Sequence, residues 1–193
     1  MTKTYEEWLK TNEEVANKII NKHQLINVEY NGWCNSILEE FCEKVESFGF
    51  NVDVDDINYS GFWTQGDGAS FTGDINILEY LSKTRQKTKY RNVIKCIENE
   101  KISNDVDIER GSLNYVHENT CYVDNIEIYD CIDTSCELSL NELRVELENK
   151  RCNLCKELYS DLEKSFRYMT SKDIIAETLI ANEYEFNKDG DIV

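Results

Sequence analysis

Apolar side chains recur along this chain at two intervals, and the change of interval divides it into elements. Between residues 4 and 22, Tyr5, Trp8, Leu9, Val15 and Ile19 recur at helical spacing with Glu and Lys between them, which predicts helix. Between 33 and 48, Trp33, Ile37, Leu38, Phe41, Val45 and Phe48 form one stripe, with Glu39, Glu40, Glu43 and Glu46 lying away from it. Gly49 stands where a left-handed cap would end that helix. The interval then drops to two. Phe50, Val52 and Val54 alternate with Asn51, Asp53 and Asp55, the pattern of a half-buried strand. Ile57, Tyr59 and Phe62 continue extended towards a glycine-rich turn.

Two short helices are expected at 74–83 and 89–100. A second β region is expected at about 112–130, where Tyr115, Val116, Cys121, Val123, Ile126 and Ile128 flank the turn His117–Thr120. Ser139 with Glu142 reads as a capping box. From there Leu140, Leu143, Leu147, Leu154, Leu158, Leu162, Phe166 and Met169 recur at steps of three, four and seven. A helix from 139 to 169 would be ~46 Å long, against an expected radius of gyration of ~16 Å. It must therefore span the body, bend, or project and pair with a second copy as a homodimer. A last helix is expected at 171–182, followed by a turn at 187–190. The fold class expected is α+β: a small, mainly antiparallel sheet packed by helices, with a long C-terminal helix. The division expected is an α+β body over 1–138, with 139–193 packing on it as the long helix and a short terminal one.

Composition narrows the function classes. The first residues, Met1 to Glu7, are charged and lack the apolar core of a secretory signal, and no run reaches the ~18 apolar residues of a membrane span. A cytoplasmic protein is expected, with its eight cysteines as reduced thiols. Lys and Arg number 21 against 38 Asp and Glu, a net charge of −17. Such a surface repels membranes and nucleic acid and favours basic partners. The charge is uneven, because Lys83, Arg85, Lys87, Lys89, Arg91 and Lys95 follow one another with no acid between them. That segment could contact nucleic acid or an acidic partner, or balance an acidic patch within the protein.

No phosphate loop, nucleophile elbow, zincin helix or dinucleotide fingerprint occurs. His23 and His117 stand in no metal or nucleophile motif, so a binding protein is expected rather than an enzyme. Cys131, Cys136, Cys152 and Cys155 approach four-cysteine zinc spacing. A continuous helix from Ser139, however, would hold Cys136 and Cys152 too far apart to share an ion. Cys152 and Cys155 also fall near the apolar seam, where cysteine packs as a small hydrophobe.

The most distinctive stretch is Tyr59-Ser60-Gly61-Phe62-Trp63-Thr64-Gln65-Gly66-Asp67-Gly68-Ala69-Ser70-Phe71-Thr72-Gly73. Its glycines permit positive φ and close backbone approach, and its aromatics can anchor a tight turn or a binding loop. It resembles the Ser-Gly-Phe-Trp-Ser-Gln-Gly-Asp-Gly-Ala-Ser-Phe motif of a family of small phage-borne proteins, mostly uncharacterised and some labelled as antitoxins. Thr64 replaces a Ser of that motif. The residues Leu162-Glu163, Tyr168 to Ser171, Ala181 to Phe186 and Asp189-Gly190 are similar to that family as well. The resemblance implies phage origin and brings no catalytic residues with it. With the charge, it leads to an expected function: an acidic inhibitor that binds a host defence protein, such as an anti-CRISPR protein blocking the nucleic-acid surface of a CRISPR effector nuclease. Asp53, Asp55, Asp56, Glu39, Glu43 and Glu46 are the expected phosphate mimics, with Trp63, Gln65 and Asp67 of the turn as further partner contacts. The alternatives are an antitoxin that neutralises a co-encoded toxin, and a DNA-contacting regulator using residues 83–95.

Overall fold

In the structure, a computed structural model, residues 2–30, 32–111 and 114–193 are described. Residues 112 and 113, at the start of the expected second β region, lie outside them. The chain packs as two compact units, Met1–Asn35 with Leu162–Val193, and Ser36–Asp161. The architecture is α+β: among the described residues, small antiparallel sheets accompany seven helices, the longest near the C-terminus.

The first unit begins with β1 (Lys3–Thr4), α1 (Tyr5–Thr11) and α2 (Glu13–Lys22). The helical periodicity from 4 to 22 is thus carried by two helices. Asn12, at φ −160°, ends the first and caps the second by accepting from the Val15 N–H. Thr4 and Glu7 form a reciprocal capping box at the start of α1. The same unit holds α7 (Lys172–Ala181) and β8 (Glu185–Phe186), which pairs antiparallel with β1. Tyr5, Trp8, Ile19, Ile20, Ile175, Leu179 and Phe186 form its core, and the Trp8 indole donates to Phe186 O at 2.9 Å. His23 caps the end of α2 and lies 2.9 Å from Gly190 O, a structural position.

The second unit is built on α3 (Asn35–Glu46), whose stripe Leu38, Phe41 and Val45 is buried. Gly49 follows it at φ +87°. A Cβ there would meet Tyr80 N at 2.7 Å, so glycine is needed for the conformation and for space. The predicted strand from Phe50 is shorter than its alternation. Only Phe50–Asn51 pairs as β2, before a 3-10 turn over Val54–Asp56 leads to β3 (Ile57–Tyr59). β3 forms a hairpin with β4 (Ala69–Phe71), with Tyr59 opposite Ala69. Then come β5 (Gly73–Asn76), α4 (Ile77–Lys83), α5 (Arg91–Glu98), β6 (Asp105–Arg110) and β7 (Cys121–Val123). The main sheet is antiparallel in the order β2-β5-β6-β7. Among the described residues of the expected second β region, β7 is the one strand. Its partner β6 lies just upstream, and the two are joined past the turn in which the Thr120 N–H donates to His117 O.

The long helix is α6 (Thr134–Met169), 36 residues or ~54 Å. It begins five residues before the expected capping box, so Ser139 lies within it. The start is made by Asp133, whose carboxylate accepts from the Cys136 N–H at 2.8 Å. Leu140, Leu143, Leu147, Leu154 and Leu158 are buried on this unit's side. Phe71 meets Phe41 and Phe50 edge-on, at 5.4 and 6.4 Å between ring centroids.

Candidate functional site

Three expected phosphate mimics share one stripe of α3. Glu39, Glu43 and Glu46 stand at i, i+4 and i+7 and are exposed. Cys42 lies on the flank of that stripe and is half-buried. Burial pushes its thiol up, and the charges of Asp53 and then Asp56 push it further. The charges of Asp53 and Asp56 are thus felt at Cys42 of α3; Glu39, Glu43, Glu46, Asp53 and Asp55 are exposed, and Asp56 is half-buried. Asp56 is the most constrained, since its main-chain oxygen accepts from the Thr72 N–H at 3.2 Å. Among the described residues, none of the six pairs with a Lys or Arg side chain within 4.0 Å. Lys83 marks one edge, donating to Glu46 O at 2.7 Å and to the Glu79 carboxylate at 2.9 Å.

The glycine-rich stretch is the loop of the β3–β4 hairpin. Ser60 N–H donates to Gly68 O at 3.0 Å, and Gly68 N–H donates to Ser60 Oγ at 3.0 Å. A Cβ on Gly68 would come within 2.6 Å of His117 Cβ, so this glycine lets the hairpin close against the 116–117 segment. Phe62 stacks between Tyr59 and Tyr159, with centroids 6.5 and 5.6 Å away, and the Tyr159 hydroxyl donates to Gly61 O at 3.1 Å. Asp67 faces inward. Its carboxylate accepts the Thr64 and Trp63 N–H groups at 2.7 and 2.9 Å, and these bonds hold it well below the usual carboxylate range. What the loop presents is Trp63, 79% exposed, and the exposed Gln65. Exposed Tyr115 stands beside Gly66. Residues 57–62 separate Asp56 of the acidic turn from Trp63 at this tip.

The basic segment divides between the end of α4, a loop and the start of α5. Arg85 (φ +60°), Lys87 and Arg91 are exposed. Lys83 is held as described, and Lys89 donates to Glu146 of α6 at 2.9 Å. Glu146 also accepts from the Tyr80 and Tyr90 hydroxyls at 3.1 and 2.8 Å and from the Gln86 amide. Burial alone would raise its pKa, but the bonds from Lys89, Gln86, Tyr90 and Tyr80 together hold it below the usual range. Two of the basic residues thus serve the protein's own carboxylates.

The four cysteines weighed as zinc ligands are not brought together. Cys136 and Cys152 are sixteen residues apart on one continuous helix, ~24 Å. Cys136 instead meets Cys96, and Cys155 meets Cys121. No group of three or more His, Cys, Asp or Glu able to hold a metal occurs among the described residues. Beside Cys121 lies Arg151, 1% exposed, where the apolar seam of α6 steps by seven from Leu147 to Leu154. Its guanidinium donates to Glu148, to Glu118 O at 2.8 Å and to Cys121 Sγ at 2.9 Å. The Cys121 thiol is lowered, first by its bond with Cys155 and then by the Arg151 charge, against the opposing effect of burial.

Sequence reasoning did not single out Glu146, Arg151, Tyr115 or Cys96. Arg151 alone left a trace, as the missing apolar step of the seam. Among the described residues no helix is long and apolar enough to cross a membrane.

The chain belongs to the family defined by a domain of unknown function, DUF8835, which matches residues 33–172. That span takes in the acidic residues of α3 and the 3-10 turn, the hairpin loop, the basic segment, the whole of α6 and only the first residue of the last helix. No curated protein and no solved structure matches the chain.

Proposed function

We propose that this protein is a phage-encoded, non-catalytic inhibitor that binds the nucleic-acid-binding surface of a bacterial defence protein, a CRISPR effector nuclease. The observation that carries the reading is the exposed acidic stripe of Glu39, Glu43 and Glu46 on α3, together with the exposed Asp53 and Asp55 and the half-buried Asp56 of the segment that follows it. Among the described residues none of the six has a Lys or Arg partner within 4.0 Å, whereas Glu146 and Glu148 of the same unit bind Lys89 and Arg151. Open carboxylates of this density attract a Lys- and Arg-lined channel and can occupy positions that phosphates take. The hairpin loop adds Trp63 and Gln65, an aromatic anchor of the kind that gives interfaces their affinity. Asp67 acts from within, by fixing the loop that presents Trp63.

The test is cleavage by a guide-loaded effector nuclease with the purified protein added, at low and at moderate salt. Inhibition should weaken steeply as salt rises, and should be lost when Glu39, Glu43, Glu46, Asp53, Asp55 and Asp56 are replaced by their amides. Inhibition that is insensitive to salt and survives the amide variant would overturn the mimicry. Failure to touch any effector, with tight binding of a co-encoded small toxin, would replace it with the antitoxin reading.

A further inference from the structure

Two pairs of thiols meet in this protein, and their surroundings differ. Cys121 and Cys155 are both buried, 4.0 Å apart, with the Arg151 guanidinium 2.9 and 3.6 Å from their sulfurs. An oxidant has no route to them, and joining them would strip the buried guanidinium of sulfur partners. Cys96 of α5 and Cys136 of α6 lie 2.7 Å apart, sulfur to sulfur, against about 2.05 Å in a disulfide. Cys136 is fully buried, but Cys96 is half-buried and lines a surface cleft of about 270 Å³ with Asn92, Lys95, Asn99, Lys101 and Asp133. One sulfur of this pair is therefore within reach of a small oxidant, and the other is already placed behind it.

We propose that Cys96 and Cys136 form a reversible peroxide-responsive disulfide that staples α5 to the first turn of α6. In the first step the Cys96 thiolate attacks one oxygen of hydrogen peroxide. The O–O bond breaks, Cys96 becomes a sulfenic acid, and the departing hydroxide takes up the proton that the Cys96 thiol had released and leaves as water. In the second step the Cys136 sulfur attacks the Cys96 sulfur. The S–S bond forms, and the sulfenic oxygen departs with the Cys136 proton as water. Two thiols are oxidised by two electrons and one peroxide is reduced to two waters. A small dithiol reverses the bond by thiol exchange. Burial, followed by the neighbouring Cys96, raises the Cys136 thiol, in keeping with a resolving role rather than the first attack. The bond would close a loop containing the whole of β6 and β7, and so would hold the edge of the main sheet to both helices.

The experiment uses the full chain, treated with a small excess of hydrogen peroxide, alkylated under denaturing conditions and mapped as peptides. The expected product is a Cys96–Cys136 linked peptide, with Cys121 and Cys155 still alkylated as free thiols, and dithiothreitol should restore both partners. Exposed Cys131, five residues before Cys136, is the competitor, so Cys131→Ser should leave the link intact. Cys136→Ser should leave Cys96 as a sulfenic acid that a dimedone probe captures. The wild-type map stands whether or not that variant folds. A link through Cys131, or oxidation of Cys121 and Cys155 while Cys96 and Cys136 stay reduced, would overturn the assignment.

Discussion

Glu146 on α6 and Glu43 on α3 belong to the same unit and face opposite demands. Glu146 takes bonds from two tyrosine hydroxyls, an amide and a lysine. Glu148, two residues on, takes the Arg151 guanidinium and the Val123 N–H. Glu43 and its neighbours Glu39 and Glu46 are exposed, and among the described residues no Lys or Arg side chain lies within 4.0 Å of their carboxylates. The cations that pair with Glu146 and Glu148, Lys89 and Arg151, come from the basic segment and from the seam, while among the described residues none is set within 4.0 Å of the α3 glutamates. Burial explains the asymmetry. A half-buried carboxylate without partners costs several kcal/mol, whereas an exposed one is solvated by water. The bare carboxylates are thus the ones whose charge is available to another molecule.

The closed region should fail first when a member is removed. Arg151→Ala should cost about 3–5 kcal/mol, because it removes the cation from the half-buried Glu148, takes the donor from Glu118 O and leaves a void in the seam. Arg151→Met, which fills the space without the charge, should recover part of that loss. Urea unfolding followed by circular dichroism measures both. Equal loss in the two variants would mean that the charge network, not the packing, dominates.

Glu146→Ala should follow, at roughly 2–3 kcal/mol, since Tyr80 and Tyr90 lose the acceptor for hydroxyls that sit in the core. The same residue gives the comparison a pH dependence. The folded-state pKa of Glu146 is depressed, so its stabilisation is present above the ordinary Glu value of 4.5 and is lost as pH falls through the lower, folded value. Glu148 is depressed too: burial would raise it, but Arg151 and the Val123 N–H together outweigh that. Wild type should lose stability as pH falls below about 4.5, and Glu146→Gln should flatten that limb. An unchanged acid limb would place its origin elsewhere.

What could be read from the sequence follows the same division. The α3 stripe, its Gly49 cap, the buried leucines of α6 and the outward glutamates were legible because each depends on residues within a turn or two. The hydrogen-bonded strand after Phe50 was overread. Phe50, Asn51, Val52 and Asp53 do alternate in burial, but the chain turns at Val54 to begin the hairpin, and alternation reports burial rather than pairing. β6 was missed because Val106 and Ile108 are its only buried apolar residues, and it becomes a strand through pairing with Gly73–Asn76, far back in the chain. Ser139 and Glu142 imitate a helix start. The actual start lies earlier, where Asp133 caps the turn and Cys136 packs beneath α5 against Cys96. The partners of Glu146, Cys136 and Cys155 are 34 to 66 residues away, a distance at which no local pattern operates.

The smallest effect on stability should come from the open region, and it sharpens the comparison most. Replacing Glu39, Glu43 and Glu46 with Gln removes three negative charges from one stripe without removing a bond that the fold uses. The melting temperature should stay within about 2 °C of the parent or rise slightly, because exposed substitutions cost little and like charges on one helix face repel. If these residues were structural in the manner of Glu146, the triple variant would melt well below the parent. A small thermal change combined with lost binding of a basic partner would separate the two roles in one molecule. The same variant made with Asp replacing Glu should keep binding while shortening each side chain. Binding kept by Asp and lost with Gln would assign the effect to charge, and loss with both would assign it to the reach of the glutamate side chain.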